Sequence, residues 1–383
     1  MTEHTTVAII GAGVAGLTLG NMLQRNGIAC VVLEKHHRDH VEQRQRAGTV
    51  DSRGVHMFRD WGLQEVVESD AFPEVESGFF IDGEELPIDF AEDDNKDSIF
   101  CPQQVLVRNL TDLFLRGGGD LRFEADGVSL ADISGEHPVV RSGETVLSCD
   151  FIAGCDGDRG VSRTAVPAGA LTRYSHEFGY SWLSVLAEVP TDPSGMAIHS
   201  RGLAGMIPRG AHASRIYLQC RVDDTLARWP DERVWSELEA RFGKPVATGR
   251  IADKRLVPLR SVVHSPMHHG KLYLLGDAAH IVPPMSAKGI NLALHDAEVF
   301  ARGVIKHTED GGPSLLDAYS ETCLRHVWNY QAFATWITEV MHNAGDPSHE
   351  GEFRKQVARA ELQRQFTSPA ANRLFGELTA GVN

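Results

Sequence analysis

A single stretch near the start limits what this chain can fold into. Residues 7–16, VAIIGAGVAG, are an apolar run that breaks into Gly11-x-Gly13-x-x-Gly16. An apolar helical pattern follows through Leu17, Leu19 and Leu23, and a second apolar run, 29–33, ends in Glu34. Each part has a physical job. Gly11 makes a tight turn, Gly13 lets a pyrophosphate approach the backbone, and Gly16 lets helix and strand pack closely. Glu34 is placed to bind a ribose hydroxyl. A glycine triplet alone would be weak evidence; strand, turn, helix, strand and acid in that order predict an α/β dinucleotide-binding unit.

Two later stretches repeat the strand-then-turn arrangement. Residues 276–294 read GDAAHIVPPMSAKGINLAL, after a short apolar run at 272–275 and before an Ala/Leu-rich pattern that opens a helix near Gly289. Such a turn aims backbone N–H groups and a positive helix end at one point, where an anion or an electron-rich heterocycle is stabilised. Gly276 and Asp277 sit at its start. Asp277 is placed to accept from a ribityl-type hydroxyl, and Pro283-Pro284 stiffens the loop. In residues 149–163, CDFIAGCDGDRGVSR, a strand delivers Asp156-Gly157 into a turn, with Arg159 and Arg163 just beyond.

The 383 residues allow two interlocked domains with a sizeable core. A formal net charge of −15 disfavours nucleic acid as a partner, so an anionic ligand must be met by local arginines. No segment has the roughly 18 uninterrupted apolar residues of a membrane span, and the opening MTEHTTVAIIGAG lacks a basic region followed by a signal core. The expected location is the cytoplasm. Cys30, Cys101, Cys149, Cys155, Cys220 and Cys323 are scattered without zinc-type spacing and are read as reduced core thiols. The histidines at 36, 37, 40, 268 and 269 are read as solvated, and no metal is expected.

Periodicity predicts helices over 55–63, 103–115, 231–242, 317–337 and 361–375. Short strands are expected over 121–146, and a separate β-sheet layer over 180–219. Residues 65–97 are acidic and irregular.

With the three glycine-bearing turns in order, the chain resembles the single-component flavoprotein aromatic hydroxylases over nearly its whole length. The stretches FIAGCDGDRGVSR, PLRS and GDAAHIVPP…AKGINLA look most like those of its hydroxybenzoate-hydroxylating members. The resemblance implies a Rossmann-like FAD-binding domain with an inserted β-sheet substrate domain and a helical C-terminal region. The implied division is 1–175 and 266–300 for the two parts of the FAD domain, 176–265 for the sheet domain and 301–383 for the tail. A homodimer is also implied. In such enzymes NAD(P)H reduces the flavin, O₂ adds at its C4a position, and the hydroperoxide passes an oxygen to an activated ring carbon. The protein supplies placement and dryness.

Carried over position by position, Arg209 matches the arginine that pairs a benzoate carboxylate, for which a planar fork is suited. Arg215 and Tyr217 match residues shaping the flavin and carboxylate surroundings. Pro284 matches a proline whose carbonyl faces the substrate, and Trp182 falls among the substrate residues. Gln103, Gly289, Asn291 and Arg46 match flavin contacts, beside the glycines, Glu34, Asp156 and Asp277. Arg44, Arg159 and Arg260 fall where the nicotinamide nucleotide is handled. Lys35, Arg38 and Arg44 favour a 2′-phosphate, hence NADPH.

The departures bear on the substrate. A tyrosine that bonds the phenol oxygen in the family is replaced here by Met196, and a serine assisting the carboxylate by Ile207. A relaying tyrosine aligns with Thr379, and a histidine at the solvent end with Glu74. Met196 and Ile207 cannot relay a proton. The expected substrate is a ring already activated by an amine, an amino-hydroxybenzoate such as 3-amino-4-hydroxybenzoate. The alternatives are C3 hydroxylation of 4-hydroxybenzoate itself and, in another class, a non-catalytic flavin-binding sensor or partner subunit. A flavin halogenase is disfavoured because Trp61, Trp182, Trp229, Trp235, Trp328 and Trp336 are isolated, with no Trp-x-Trp pair.

Overall fold

The computed structural model describes residues 2–43, 48–68, 71–73, 78–86, 97–312, 314–342 and 349–381. Two eight-stranded sheets organise them. In the first, strands Glu3–Ile10, Cys30–Leu33, Asp120–Arg122, Thr145–Gly154 and Leu272–Leu274 run parallel. Their side chains are buried on both faces, as Val7, Ala8 and Ile9 show, which explains an unbroken apolar run rather than an alternating one. From Glu3–Ile10 the sheet grows one way through Cys30–Leu33 and the other way through Thr145–Gly154. This reversal of strand order opens a crevice at the carboxyl ends of the strands. Helices Val14–Arg25 and Gly289–Asp310 pack together beside it.

The second sheet is ordered His280–Ile281, Ile251–Ser265, Thr172–Ala187, Ser214–Arg221, Ala204–Pro208, Gly195–Ile198, Gly78–Ile81 and Glu84–Leu86. Its pleat sends alternate residues to opposite faces. Leu183, Val185, Met206, Ile216 and Leu218 point one way and form a second core with Val234, Leu238 and Phe242 of helix Asp231–Phe242. Trp182, Met196 and Tyr217 point the other way and pack against the main core. One face is therefore an anchor, and the other is free to roof a site.

Most expected elements are present, with three differences. The second sheet is not confined to 176–265, because Gly78–Ile81 pairs in parallel with Gly195–Ile198 and brings Glu84–Leu86 with it. These strands cover an edge that would otherwise expose unpaired backbone. The helix expected over 55–63 spans Ser52–Asp60, since the Asp51 side chain accepts from the Gly54 N–H and fixes its start. The helix expected over 361–375 is two, His349–Thr367 and Pro369–Ala380. Pro369 has no N–H and holds Ser368 extended (φ −90°, ψ 117°). Among the described residues no helix is long and apolar enough to cross a membrane, and the six cysteines, buried or half-buried, form no disulfide.

Candidate active site

Three loops leave the carboxyl ends of neighbouring parallel strands and meet in the crevice. A Cβ at Gly11 (φ +105°) would stand 2.5 Å from the carbonyl oxygen of Cys155, so the first loop lies against the second. A Cβ at Gly16 would stand 2.0 Å from the carbonyl oxygen of Gly11. Gly13 differs, since nothing lies within 4 Å of its Cβ position. It faces open space at the N-terminus of helix Val14–Arg25, which no side chain caps. Glu34 is buried and braces this turn, accepting from the Ala12 N–H at 2.9 Å and the His36 N–H at 2.9 Å.

In the second loop, Asp156 Oδ2 accepts from the Ser162 N–H at 2.8 Å. Its Oδ1 is buried and has no partner among the described residues, and burial pushes the carboxyl above its usual range. In the third loop, the Gly276 N–H donates to Asp296 Oδ2 at 2.9 Å, and the same oxygen is 2.7 Å from His280 Nε2. Burial alone would lower the His280 pKa, but Asp296 outweighs it and raises it. That buried pair fixes the turn carrying the half-buried Asp277.

Helix Gly289–Asp310 points its N-terminus into the same crevice. No side chain caps it, and nothing lies within 4 Å of the Gly289 Cβ position. Its first-turn N–H groups have no acceptor within the helix. Asn291 is spent on holding this mouth: Oδ1 accepts from the Asp51 N–H at 3.1 Å, and Nδ2 donates to the Thr49 and Ala287 carbonyls at 3.3 and 3.2 Å. Below it lies a buried ion pair, Lys288 Nζ with Asp51 Oδ2 at 2.7 Å, and the same ammonium donates to the Thr379 carbonyl at 2.7 Å. Pro284, on the turn Pro284–Ser286, lies between this mouth and the third loop.

The roof face carries the cationic groups. Strand register sets Met196 beside Gly205, Gly205 beside Tyr217 and Tyr217 beside Ser184. It also sets Ile207 beside Arg215. The Met196 sulfur fills the space above Gly205, 2.5 Å from where a Cβ would be. Arg209, half-buried, has its guanidinium 4.1 Å from the Phe100 ring centroid, donates to the Pro208 carbonyl at 3.2 Å and lies close to Tyr217. Among the described residues it has no carboxylate partner. Burial pushes it down to about 10, with Arg215 adding to the shift and Tyr217 opposing it, so it stays charged at neutral pH. Arg215 is buried, 3.4 Å from Ser184 Oγ and 3.9 Å from Asp253.

An open glycine at one helix end, an uncapped second helix end, a bracing acid and an orphaned carboxylate oxygen along one crevice fit a dinucleotide flavin. The residues that would hold it are Gly11, Gly13, Glu34, Asp156, Asp277 and the 289–291 backbone. A sequence profile of the FAD-binding domain family matches residues 4–334. The p-hydroxybenzoate hydroxylase of Acinetobacter baylyi (strain ATCC 33305 / BD413 / ADP1) is 33% identical over 391 residues, covering 100% of this chain and 96% of that protein. This chain belongs to the FAD-dependent aromatic hydroxylases. Solved structures agree on the fold. The p-nitrophenol 4-monooxygenase PnpA from Pseudomonas putida DLL-E4 superposes with a TM-score of 0.82 at 17% identity, covering 100% of both chains. The Diels-Alderase PyrE3 of pyrroindomycin biosynthesis also reaches 0.82, at 21% identity, over 99% of this chain and 81% of its own.

Not every residue expected in this flavoprotein's site serves as the sequence suggested. Arg38 is engaged by Glu42 at 2.5 Å and also by Asp112, so its charge is already matched. Lys35 is exposed. Arg44, Arg46 and Glu74 lie outside the described residues. Gln103 is half-buried in the first turn of helix Gln103–Arg116, behind Cys101, whose N–H donates to Gly48 at 2.7 Å. Thr379 spends its hydroxyl on its own helix, donating to Phe375 and Gly376 carbonyls, so only its carbonyl reaches Lys288. A proton relay through that hydroxyl is not built. Arg159 is exposed near Asp158, and Arg260 donates to Asp158 at 2.6 Å.

Sequence reasoning passed over Asp158, Phe100, the Asp51–Lys288 pair, the His280–Asp296 pair and His342. Lys288, next to Gly289, could have been noticed as a cation at a helix N-terminus. Its partner lies 237 positions away, where no sequence pattern points to it.

Proposed function

We propose that this flavoprotein hydroxylates the ring of a small aromatic carboxylate anchored by Arg209, and that it favours an amino-hydroxybenzoate such as 3-amino-4-hydroxybenzoate. One observation carries the reading: a half-buried guanidinium without an acidic partner among the described residues, on the same sheet face as Met196 and Ile207. A free carboxylate satisfies the first, and the second gives a phenol no proton acceptor. FAD, when bound, supplies the redox and oxygen chemistry. The chain's own part is to clamp the carboxylate at Arg209 and Tyr217, wall the ring with Trp182 and Met196, and exclude water beneath the roof sheet. Pro284 contributes a rigid carbonyl near the ring. A substrate already activated by an amine needs no side chain to ionise it.

The alternative, C3 hydroxylation of 4-hydroxybenzoate itself, is favoured by the full-length likeness to the Acinetobacter enzyme. NADPH oxidation by the FAD-loaded protein against 4-hydroxy-, 3-hydroxy-, 4-amino-, 3-amino-4-hydroxy- and 3,4-dihydroxybenzoate, with products identified by mass, separates the two. Coupled turnover confined to aminated rings supports the first; equal or better turnover of 4-hydroxybenzoate replaces it with the second. Bound FAD that no aromatic acid stimulates would point to a non-catalytic binding protein.

The reductant reading is NADPH, with Arg159 and Arg260 for the nucleotide phosphates and Lys35 and Arg44 for the 2′-phosphate. Burial opposes ionisation of Asp158, but Arg260, Arg163 and Arg159 hold its carboxyl below the usual range. A phosphate reaching Arg260 must displace this carboxylate. Asp158→Asn is therefore expected to lower KM for NADPH about twofold to fivefold, the worth of a partly exposed ion pair. An unchanged or higher KM would remove Arg260 from the nucleotide path. Parallel titration with NADH decides the cofactor choice.

A further inference from the structure

His342 is the last described residue of helix Tyr319–His342 and is fully buried. Its Nε2 lies 2.5 Å from Trp182 Nε1, and its Nδ1 lies 2.8 Å from the Thr338 carbonyl oxygen. An indole N–H can only donate and a carbonyl can only accept. The ring must then be neutral, with its proton on Nδ1 and its Nε2 lone pair facing the tryptophan. Burial pushes its pKa down to about 4, which keeps it so at neutral pH. The imidazole also lies near-parallel to two aromatic rings, Tyr180 and Trp182, with interplanar angles of 22° to both.

Trp182 is buried on the roof face, and its ring centroid is 4.5 Å from that of Tyr217. Tyr217 in turn lies close enough to Arg209 to act on its charge. A continuous line of contacts thus runs from the end of a C-terminal helix to the guanidinium, through residues 160 positions apart at its first step. An indole has two torsions to fix, and packing alone leaves a flat ring free to tilt; an acceptor on its N–H removes that freedom.

We infer that His342 is a positioning residue, which holds Trp182 by its indole N–H and so sets the Trp182–Tyr217 wall that orients the substrate ring. The inference rests on the reading that this face holds an aromatic carboxylate. A ring tilted by a loosened wall stays bound through its carboxylate but presents the wrong carbon. The consequence is therefore lost coupling between NADPH consumption and product, rather than lost flavin.

The test compares His342→Leu, His342→Gln, Trp182→Phe and the Leu/Phe double variant in FAD-loaded full-length protein. The readouts are KM, kcat and product formed per NADPH. His342→Leu is expected to raise the benzoate KM about tenfold and to cut product per NADPH at least threefold, with FAD content retained. His342→Gln, whose amide oxygen can stand in for Nε2, is expected to recover most of both. Trp182→Phe lacks the donor and should show a similar loss, and adding His342→Leu to it should do little more, because the two act through one bond. Full coupling in His342→Leu, or additive effects in the double variant, overturns the inference. Should the leucine variant not fold, Trp182→Phe decides: wild-type KM and coupling there are equally fatal. Arg209→Met, run alongside, separates the two levels. If it leaves the benzoate KM unchanged, the substrate reading has failed; if it raises KM while the His342 set behaves as wild type, only the positioning role has.

Discussion

Replacing Arg209 with methionine is expected to raise KM for a benzoate about 100- to 1,000-fold, with FAD content unchanged. A carboxylate brought against the roof sheet loses water, and only a matched cation there offsets that loss. Leaving such a charge unpaired costs about 3–5 kcal/mol, and each ~1.4 kcal/mol is tenfold in affinity. Methionine keeps much of the apolar stem and removes the guanidinium, so the loss reports the charged group rather than a cavity. The corresponding phenol without a carboxylate is the control and should be handled alike by both proteins. Steady-state NADPH oxidation over a benzoate titration makes the measurement. A KM within threefold of the wild type would mean that Arg209 is a surface cation stacked on a phenylalanine and nothing more.

Alanine at Gly16 and at Gly13 should both deprive the protein of flavin, by different routes. At Gly16 the added methyl would fall 2.0 Å from the Gly11 carbonyl oxygen. The helix Val14–Arg25 must part from the turn, an overpacking cost of about 1–3 kcal/mol. We expect about a 10- to 100-fold weaker FAD affinity and a lower apoprotein melting temperature. At Gly13 the methyl meets no protein atom within 4 Å. Apoprotein stability should hold while FAD affinity falls, because the space occupied is the one a pyrophosphate would need. Flavin titration and thermal unfolding of the apoproteins read both quantities. Stoichiometric yellow protein from the Gly16 variant, or equal melting losses from the two, would contradict this account of the turn.

Much of the architecture was legible because its causes are local. A parallel strand buried on both faces needs a continuous apolar run, and a turn approached by backbone or ligand needs glycine. Residues 7–16, Glu34 and Asp156 therefore announced a dinucleotide crevice from residue order alone. The helices Gln103–Arg116, Asp231–Phe242 and Gly289–Asp310 begin where their patterns begin. Where the signal was not local, the reading slipped. The strand Gly78–Ile81 sits in an acidic stretch without clear alternation, and its pairing with Gly195–Ile198 on one side and Glu84–Leu86 on the other makes it a strand. Likewise Asp112, 74 positions from Arg38, gives no sign in the sequence of lying beside the cation read as a phosphate ligand.

The sequence by itself determined an α/β dinucleotide crevice, since the periodicities and glycine positions that define it are set by neighbours a few residues apart, and its resemblance to the aromatic hydroxylases supplied the family. Only the tertiary structure decided which polar groups are already spoken for. It closed Asp158 on Arg260, Asp51 on Lys288 and His342 on Trp182, and it left Arg209 beside Phe100 without an acid among the described residues. The physical reason is reach. Backbone propensity acts over one turn or one strand, whereas the energy of a buried charge or a buried N–H depends on whatever the fold brings within about 3 Å of it.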